Sequence, residues 1–406
     1  MATPTLALIP TGYKAGKLYS VLPESGVGDF TVVRATEATR VNEEGLIETM
    51  GANVPRLDYS GGGCPVLLTE PQRTNLITYS EDYNNASWNK VNSAGSTLPN
   101  ITSNYGISPD GTQNADRVQV SRASGAGDFS SVYKSITTSS VNRAHSIWLK
   151  SLSGTPTILI LNNNGVYVSQ QITTEWVRYE LDLGVGTVTE IQLSVVGSNF
   201  VANVSESADF LAWGAQLEAA SYPTSYIKTE GSAVTRNADQ VNGAGDAATF
   251  NDSEGVLMAE ISALSDDGTY RMISLSDGTV NNSTNIQYSG VSNQIRTRTE
   301  NSGVPQADIT SIISSQISLN KIAVLYKSNQ FVLWSNGFKV GEDTNGTPPS
   351  GINTLNFDRG DGGSPFYGNT KQIQYFNTVL TDSELETLTS WTSFIEMAQA
   401  QNYNII

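Results

Sequence analysis

Two acidic turns stand closest to metal chemistry in this sequence: Asp266 and Asp267 ahead of Gly268, and Asp358 and Asp361 ahead of Gly362. Oxygen ligands converging from such loops are what calcium takes, so calcium is the one cofactor these residues could hold. The plainer reading is turn chemistry by Asp and Gly, which needs no ion, and neither run has an EF-hand layout. Aromatic side chains near turn signals come next. Trp88, Tyr105, Tyr270, Phe366 and Tyr367 are candidates for stacking on sugar rings, with planar polar groups nearby to bind hydroxyls. Each has core or edge packing as its competing role, and strand parity assigns Trp148, Trp176 and Trp213 to packing more firmly still.

Other chemistries are removed by composition. The chain has one cysteine, Cys64, and one histidine, His145, so it can assemble no internal disulfide, Cys/His zinc cluster or His-dependent triad. Cys64, between Gly63 and Pro65, reads as a turn residue with no activating base, and His145 in AHSIWLKS as a packed strand residue. Glycoside hydrolysis needs two carboxyl groups facing one cleft. Glu260 stands alone in LMAEIS, and Glu43, Glu44 and Glu48 fall in irregular sequence. GAGD at Gly243 has no following helix and reads as a linker rather than a phosphate cradle. No catalytic residue is therefore assigned, and the expectation is a protein that is not an enzyme.

Lys+Arg 23 against Asp+Glu 39 gives a net charge of −16, which disfavours a nucleic-acid partner. Only 15% of residues are charged, whereas Gly 36 and Tyr 17 are prominent, a balance suited to β-proteins whose outer faces are Ser, Thr and Asn. No apolar stretch is long enough for membrane insertion, and MATPTLALIPTG lacks the basic start of an export signal.

The elements that must position these residues are mostly short strands. At 406 residues two or three domains are expected. Residues 1–72 read as an irregular arm, 73–240 as one β-sandwich and 241–406 as a second. In the middle region AHSIWLKS alternates, and TILILN stops at Asn163, Asn164 and Gly165. In the last region GVLMAEIS, QIRTRTE and NQFVLWSNGFKV repeat the strand logic, and Asn336-Gly337 predicts a tight hairpin. Thr381 with Glu384 predicts a capping box, opening one helix that carries Leu385, Leu388, Trp391 and Ile395. The fold class is all-β: two antiparallel jelly-roll sandwiches, an N-terminal arm before them and a short C-terminal helix.

Two stretches of the last region, KIAVLYKSNQFVLWSNGFKVG and FYGNTKQIQYFNTVLTDSELETL, resemble the concanavalin-A-like lectin or laminin-G-like superfamily. In the middle region RTNLITYSEDYNNASWNK and WGAQLEAASYPTSYIKTEGSAVTRNAD are similar to carbohydrate-binding-module-like sandwiches of phage tail and fibre proteins. The resemblance implies a virion protein of the tail-fibre or head-fibre type, assembled in the host cytoplasm. Its arm would join other virion proteins, its sandwiches would meet host surface glycans, and it would form a homo-oligomer, by analogy a trimer. A purely structural capsid, neck or baseplate component is the alternative, and a glycan depolymerase the least favoured. An adhesin should expose an aromatic groove; a scaffold should bury its loop edges.

Overall fold

The computed structural model describes residues 2–163 and 165–400. Two compact units divide the chain. The first takes the chain up to Gly45, Met50–Pro71 and the chain from Asn237 onward; the second takes Leu46–Thr49 and Gln72–Arg236.

In the first unit, Glu254–Ala263 is buried along nearly its whole length, where a one-sided strand would alternate. It lies centrally in an eight-stranded antiparallel sheet, between Asn320–Lys327 and Gly368–Phe376. Leu257, Ala259 and Ile261 pack with Ile273, Leu275, Ile286 and Tyr288 of a five-stranded sheet, making the main core. On the opposite face Val256 and Met258 meet Trp334, Phe376 and the helical Leu385 and Leu388. The sandwich is therefore covered on that side by its C-terminal helix.

That helix, Asp382–Thr389, begins with the predicted reciprocal bonds between Thr381 and Glu384. It is shorter than the single helix the spacing predicts: Ser390 turns extended, and a separate helix covers Phe394–Ala400. Thr387 and Thr389 bond back to the carbonyls of Ser383 and Leu385, a habit that weakens helix propagation. The Asn336-Gly337 hairpin forms as predicted, with φ of 49° and 88°.

Residues 1–72 do not stand apart as an irregular arm. Leu6–Leu8 and Val66–Thr69 both pair with Gly368–Phe376, and Phe30–Val33 pairs with Gln240–Asn242. Leu6, Leu8, Leu57 and Leu67 enter the main core, which gives the segment the apolar burial a free arm would lack. Val241, Ala244 and Phe250 enter it too, so the stretch around Gly243 is core rather than linker. A buried charge network ties these parts together: Arg56 binds Glu70 and Asp239, and Arg34 donates to Asp239 at 2.8 Å.

The second unit is organised by two long strands, Phe129–Ser151 and Val177–Val196, paired with each other along most of their length. The first half of Phe129–Ser151 also pairs with Asn89–Asn92, and its second half with Ser207–Glu218. Register breaks between Thr137 and Val141 and between Asn142 and Ala144 separate the halves, the kind of irregularity that bends a strand. Both layers of the sandwich thus share these strands around one core that includes Val132, Ile147, Leu193 and Phe210.

His145 is fully buried there, its Nδ1 bonded at 3.0 Å to the Gln216 carbonyl, and burial pushes its imidazole down to about 4. Trp148, Trp213 and Tyr226 stack mutually, the packing role that parity gives the tryptophans. Of the turn expected at Asn163, Asn164 and Gly165, Asn164 lies outside the described residues. Among the described residues no helix is long and apolar enough to cross a membrane.

Candidate functional site

An open groove of about 250 Å³ lies on the outer face of the second unit's sheet. Strand alternation creates it: in Phe129–Ser151, Val132 is fully buried in the core while Phe129, Ser131 and Tyr133 line the groove, with Phe129 partly buried against that core. Register then sets Tyr133 opposite Gln192 and Ser135 opposite Glu190, with Asn162 beside Glu190 on the next strand. Tyr167 follows, paired with Asn162.

One wall is aromatic. Phe200 meets Phe129 edge to face at 6.1 Å and Tyr167 at 5.7 Å. Phe200 is held by a turn in which Gly197 donates to Asp128 O at 2.8 Å and Phe200 donates to Gly197 O. A Cβ on Gly197 would come within 2.4 Å of the Ala126 carbonyl, so only glycine permits this approach. Glu190, Asn162 and Gln192 add polar, planar groups to the lining. Glu190 accepts from Ser135 Oγ at 2.9 Å, Asn162 Nδ2 at 2.9 Å and Gln192 Nε2 at 3.1 Å. Aromatic rings lining one groove with a carboxylate and two amides are a combination able to stack on a sugar ring and bond its hydroxyls. Glu190 is the one carboxyl among the described lining residues, so the groove lacks the acid pair of a glycosidase.

A larger cavity, about 440 Å³, is lined by Glu81, Asp82, Asp116 and Glu230. Two of these acids are engaged by their own chain: Asp116 accepts from the amides of Tyr83 and Asn104, and Glu81 from Tyr226 Oη and Lys228 Nζ. Burial pushes the Asp116 carboxyl up to about 6.

The residues singled out in the sequence do not converge on the groove. Trp88 and Phe366 are each 1% exposed, a correction to their candidacy, because a buried ring has no face to offer. Trp88 packs on Tyr83 and donates Nε1 to the Tyr79 carbonyl; Phe366 stacks on Phe357 inside the core. Tyr105 is exposed, with Arg117 lying 4.8 Å over one face. Tyr367 is half-buried.

Tyr270 is exposed at the end of a polar sheet face in the first unit. There Ser274 opposes Asn285, Gln287 opposes Arg296, and Arg298 opposes Asp308. That face is closed by its own side chains. Arg296 is bidentate to Asp308, Arg298 pairs with Glu300, and Ser274 Oγ and Gln287 Nε2 are sealed beneath without partners among the described residues.

The acidic turns do not gather into a metal centre either. Asp266 accepts from Ser292 and Gln316, Asp267 pairs with Arg271, Asp361 pairs with Arg359, and Asp358 accepts from the Gly360 amide. Among the described residues no group of three or more His, Cys, Asp or Glu is arranged to hold a metal.

The groove residues escaped the sequence reading. Of the groove aromatics, Phe200 follows Gly197-Ser198-Asn199 and Tyr167 lies two residues past Gly165, so both stand at turn signals, yet nothing local separates them from packing residues. The signal was present as alternation, Phe129, Ser131, Tyr133 and Ser135 at period two. What alternation alone leaves open is which side faces out.

No family model matches the chain, and no curated protein does. Among solved structures, a CBM40 of a Ruminococcus gnavus IT-sialidase, bound to alpha2,3 sialyllactose, is similar over 37% of this chain and 94% of its own, at 16% identity and a TM-score of 0.32. Domain 4 of AbnA, a GH43 extracellular arabinanase from Geobacillus stearothermophilus in complex with arabinotriose, covers 41% of this chain and 81% of its own, at 11% identity and 0.31. The Caenorhabditis elegans galectin LEC-6 covers 31% and 84%, at 12% identity and 0.24. These likenesses are partial and concern the fold alone.

Proposed function

We propose that this chain is a non-catalytic saccharide-binding protein, and that the aromatic groove of its second unit is where the saccharide sits. One observation carries the reading: a T-stacked wall of Phe129, Phe200 and Tyr167 lines the same open groove as Glu190, Asn162 and Gln192. Its small volume suits one ring of a longer glycan that continues past the groove. Titration calorimetry against a panel of oligosaccharides tests this. Tyr167→Ala and Phe200→Ala should each weaken binding about tenfold, the worth of a lost aromatic contact; affinity untouched by both substitutions would overturn the assignment.

The setting we propose is a phage virion, with the protein as a fibre or decoration component displaying its sandwiches to host glycans. Support comes from the phage-like stretches at residues 73–90 and 213–239. Attachment to other virion proteins and a trimeric assembly belong to the same proposal. Mass spectrometry of purified particles should find the chain; its absence from them would sink this part.

A second reading, a purely structural virion role, is favoured by one feature. The edge strand Thr97–Gly106 exposes Leu98 and Tyr105, with Ile107 just beyond, an unpaired apolar edge suited to another protein.

A further inference from the structure

The groove carries a charge asymmetry that narrows its ligand. Glu190 is the only charged side chain among its described lining residues, and no lysine or arginine lines it. Elsewhere in the second unit, acids on sheet faces have cationic partners: Asp209 is paired with Arg117, and Glu180 with Arg178. Glu190 is held instead by neutral donors, the Ser135 hydroxyl and the Asn162 and Gln192 amides.

Three donors do not exhaust a carboxylate, which has about four lone-pair sites on its two oxygens. The remaining capacity can only accept, so the ligand must bring a hydroxyl or amide N–H to it. A ligand anion at that position would meet like charge beside an apolar wall, where screening by water is poor. The net charge of −16 adds a longer-range repulsion of the same sign.

Resting on the saccharide-binding reading above, we propose that the groove selects an uncharged saccharide and rejects carboxylated or sulfated ones, with Glu190 as the specificity-determining residue. Phe129, Tyr167 and Phe200 cover the apolar side of the ring and bind charged and uncharged sugars alike. Glu190 supplies the difference, attracting a hydroxyl and repelling an anion. A sialylated ligand of the kind bound by the R. gnavus module is therefore outside the range this groove accepts.

The test uses the full chain and matched oligosaccharide pairs, each a neutral glycan and its uronic-acid or sulfated counterpart, titrated in low and high salt. Wild type should bind the neutral member at least about tenfold tighter, with the gap narrowing as salt rises. Glu190→Gln removes the charge but keeps an acceptor oxygen; it should gain affinity for the acidic member and lose some for the neutral one. Thermal melting checks that this variant is folded.

If the acidic member binds as well as the neutral one and Tyr167→Ala weakens both about tenfold, the groove reading stands and the charge rule falls. If no saccharide responds to any groove substitution, the rule falls together with the reading it rests on.

Discussion

The polar sheet face of the first unit and the groove of the second share Ser, Asn, Gln and Glu, yet they are opposite in kind. On the first, arginines are matched with acids: Arg296 with Asp308 and Arg298 with Glu300, over a row of buried Ser274, Asn285 and Gln287. On the second, Glu190 has no cation beside it among the lining residues, and an aromatic wall holds the space open. A polar composition is therefore not enough to make a site. What distinguishes the groove is acceptor capacity that the chain itself leaves unused at a surface a ligand can reach.

The largest expected effect tests whether charge in the first unit is structural. Arg56→Met leaves Glu70 and Asp239 buried with fewer partners, and should destabilise that unit by about 3–5 kcal/mol. Calorimetry should show one transition falling while that of the second unit stays; equal shifts in both would break the contrast.

The next concerns pH and belongs to the second unit, which holds the chain's one histidine. The native pKa of His145, about 4, lies below its ordinary 6.5, so between those values the unfolded chain binds a proton that the native one refuses. The contribution is present above pH 6.5 and is lost as pH falls toward 4, amounting to roughly 3 kcal/mol. Asp116 opposes it: its pKa is raised to about 6 from 3.8, so its contribution fades as pH rises through that window. Replacing His145 by Asn should reduce the rise of stability with pH by most of that amount relative to wild type, read from denaturant midpoints at pH 4.5 and 7.

Sugar binding sharpens the comparison further. Tyr270→Ala on the closed face should leave saccharide affinity unchanged, whereas Tyr167→Ala in the groove lowers it about tenfold; a loss with Tyr270→Ala would relocate the site. Least of all, Arg296→Ala should cost no more than about 1 kcal/mol in melting experiments, since its pair with Asp308 is partly solvated.

Much of the fold is legible in the sequence where the cause is local. The Asn336-Gly337 turn, the Thr381 to Glu384 capping box and the alternation of AHSIWLKS each follow from residues a few positions apart. What stays hidden depends on partners far along the chain. Nothing near Leu6 announces that it pairs opposite Tyr375, and nothing near Arg56 that Asp239 waits for its guanidinium. The groove is hidden for a related reason: Phe200 reaches Phe129 only because Gly197 lets one turn approach another, while Glu190 faces outward by a register that a one-residue slip would reverse.

Because Phe129–Ser151 and Val177–Val196 run through both layers, the strands that present Tyr133 and Glu190 continue into those that bury His145 and Trp148. Occupancy of the groove should then slow amide hydrogen exchange well beyond the residues touched, along both strands as far as Ser151 and Val177. The same continuity means that the groove cannot be excised as a peptide or grafted as a loop; it transfers to another scaffold only with the whole module.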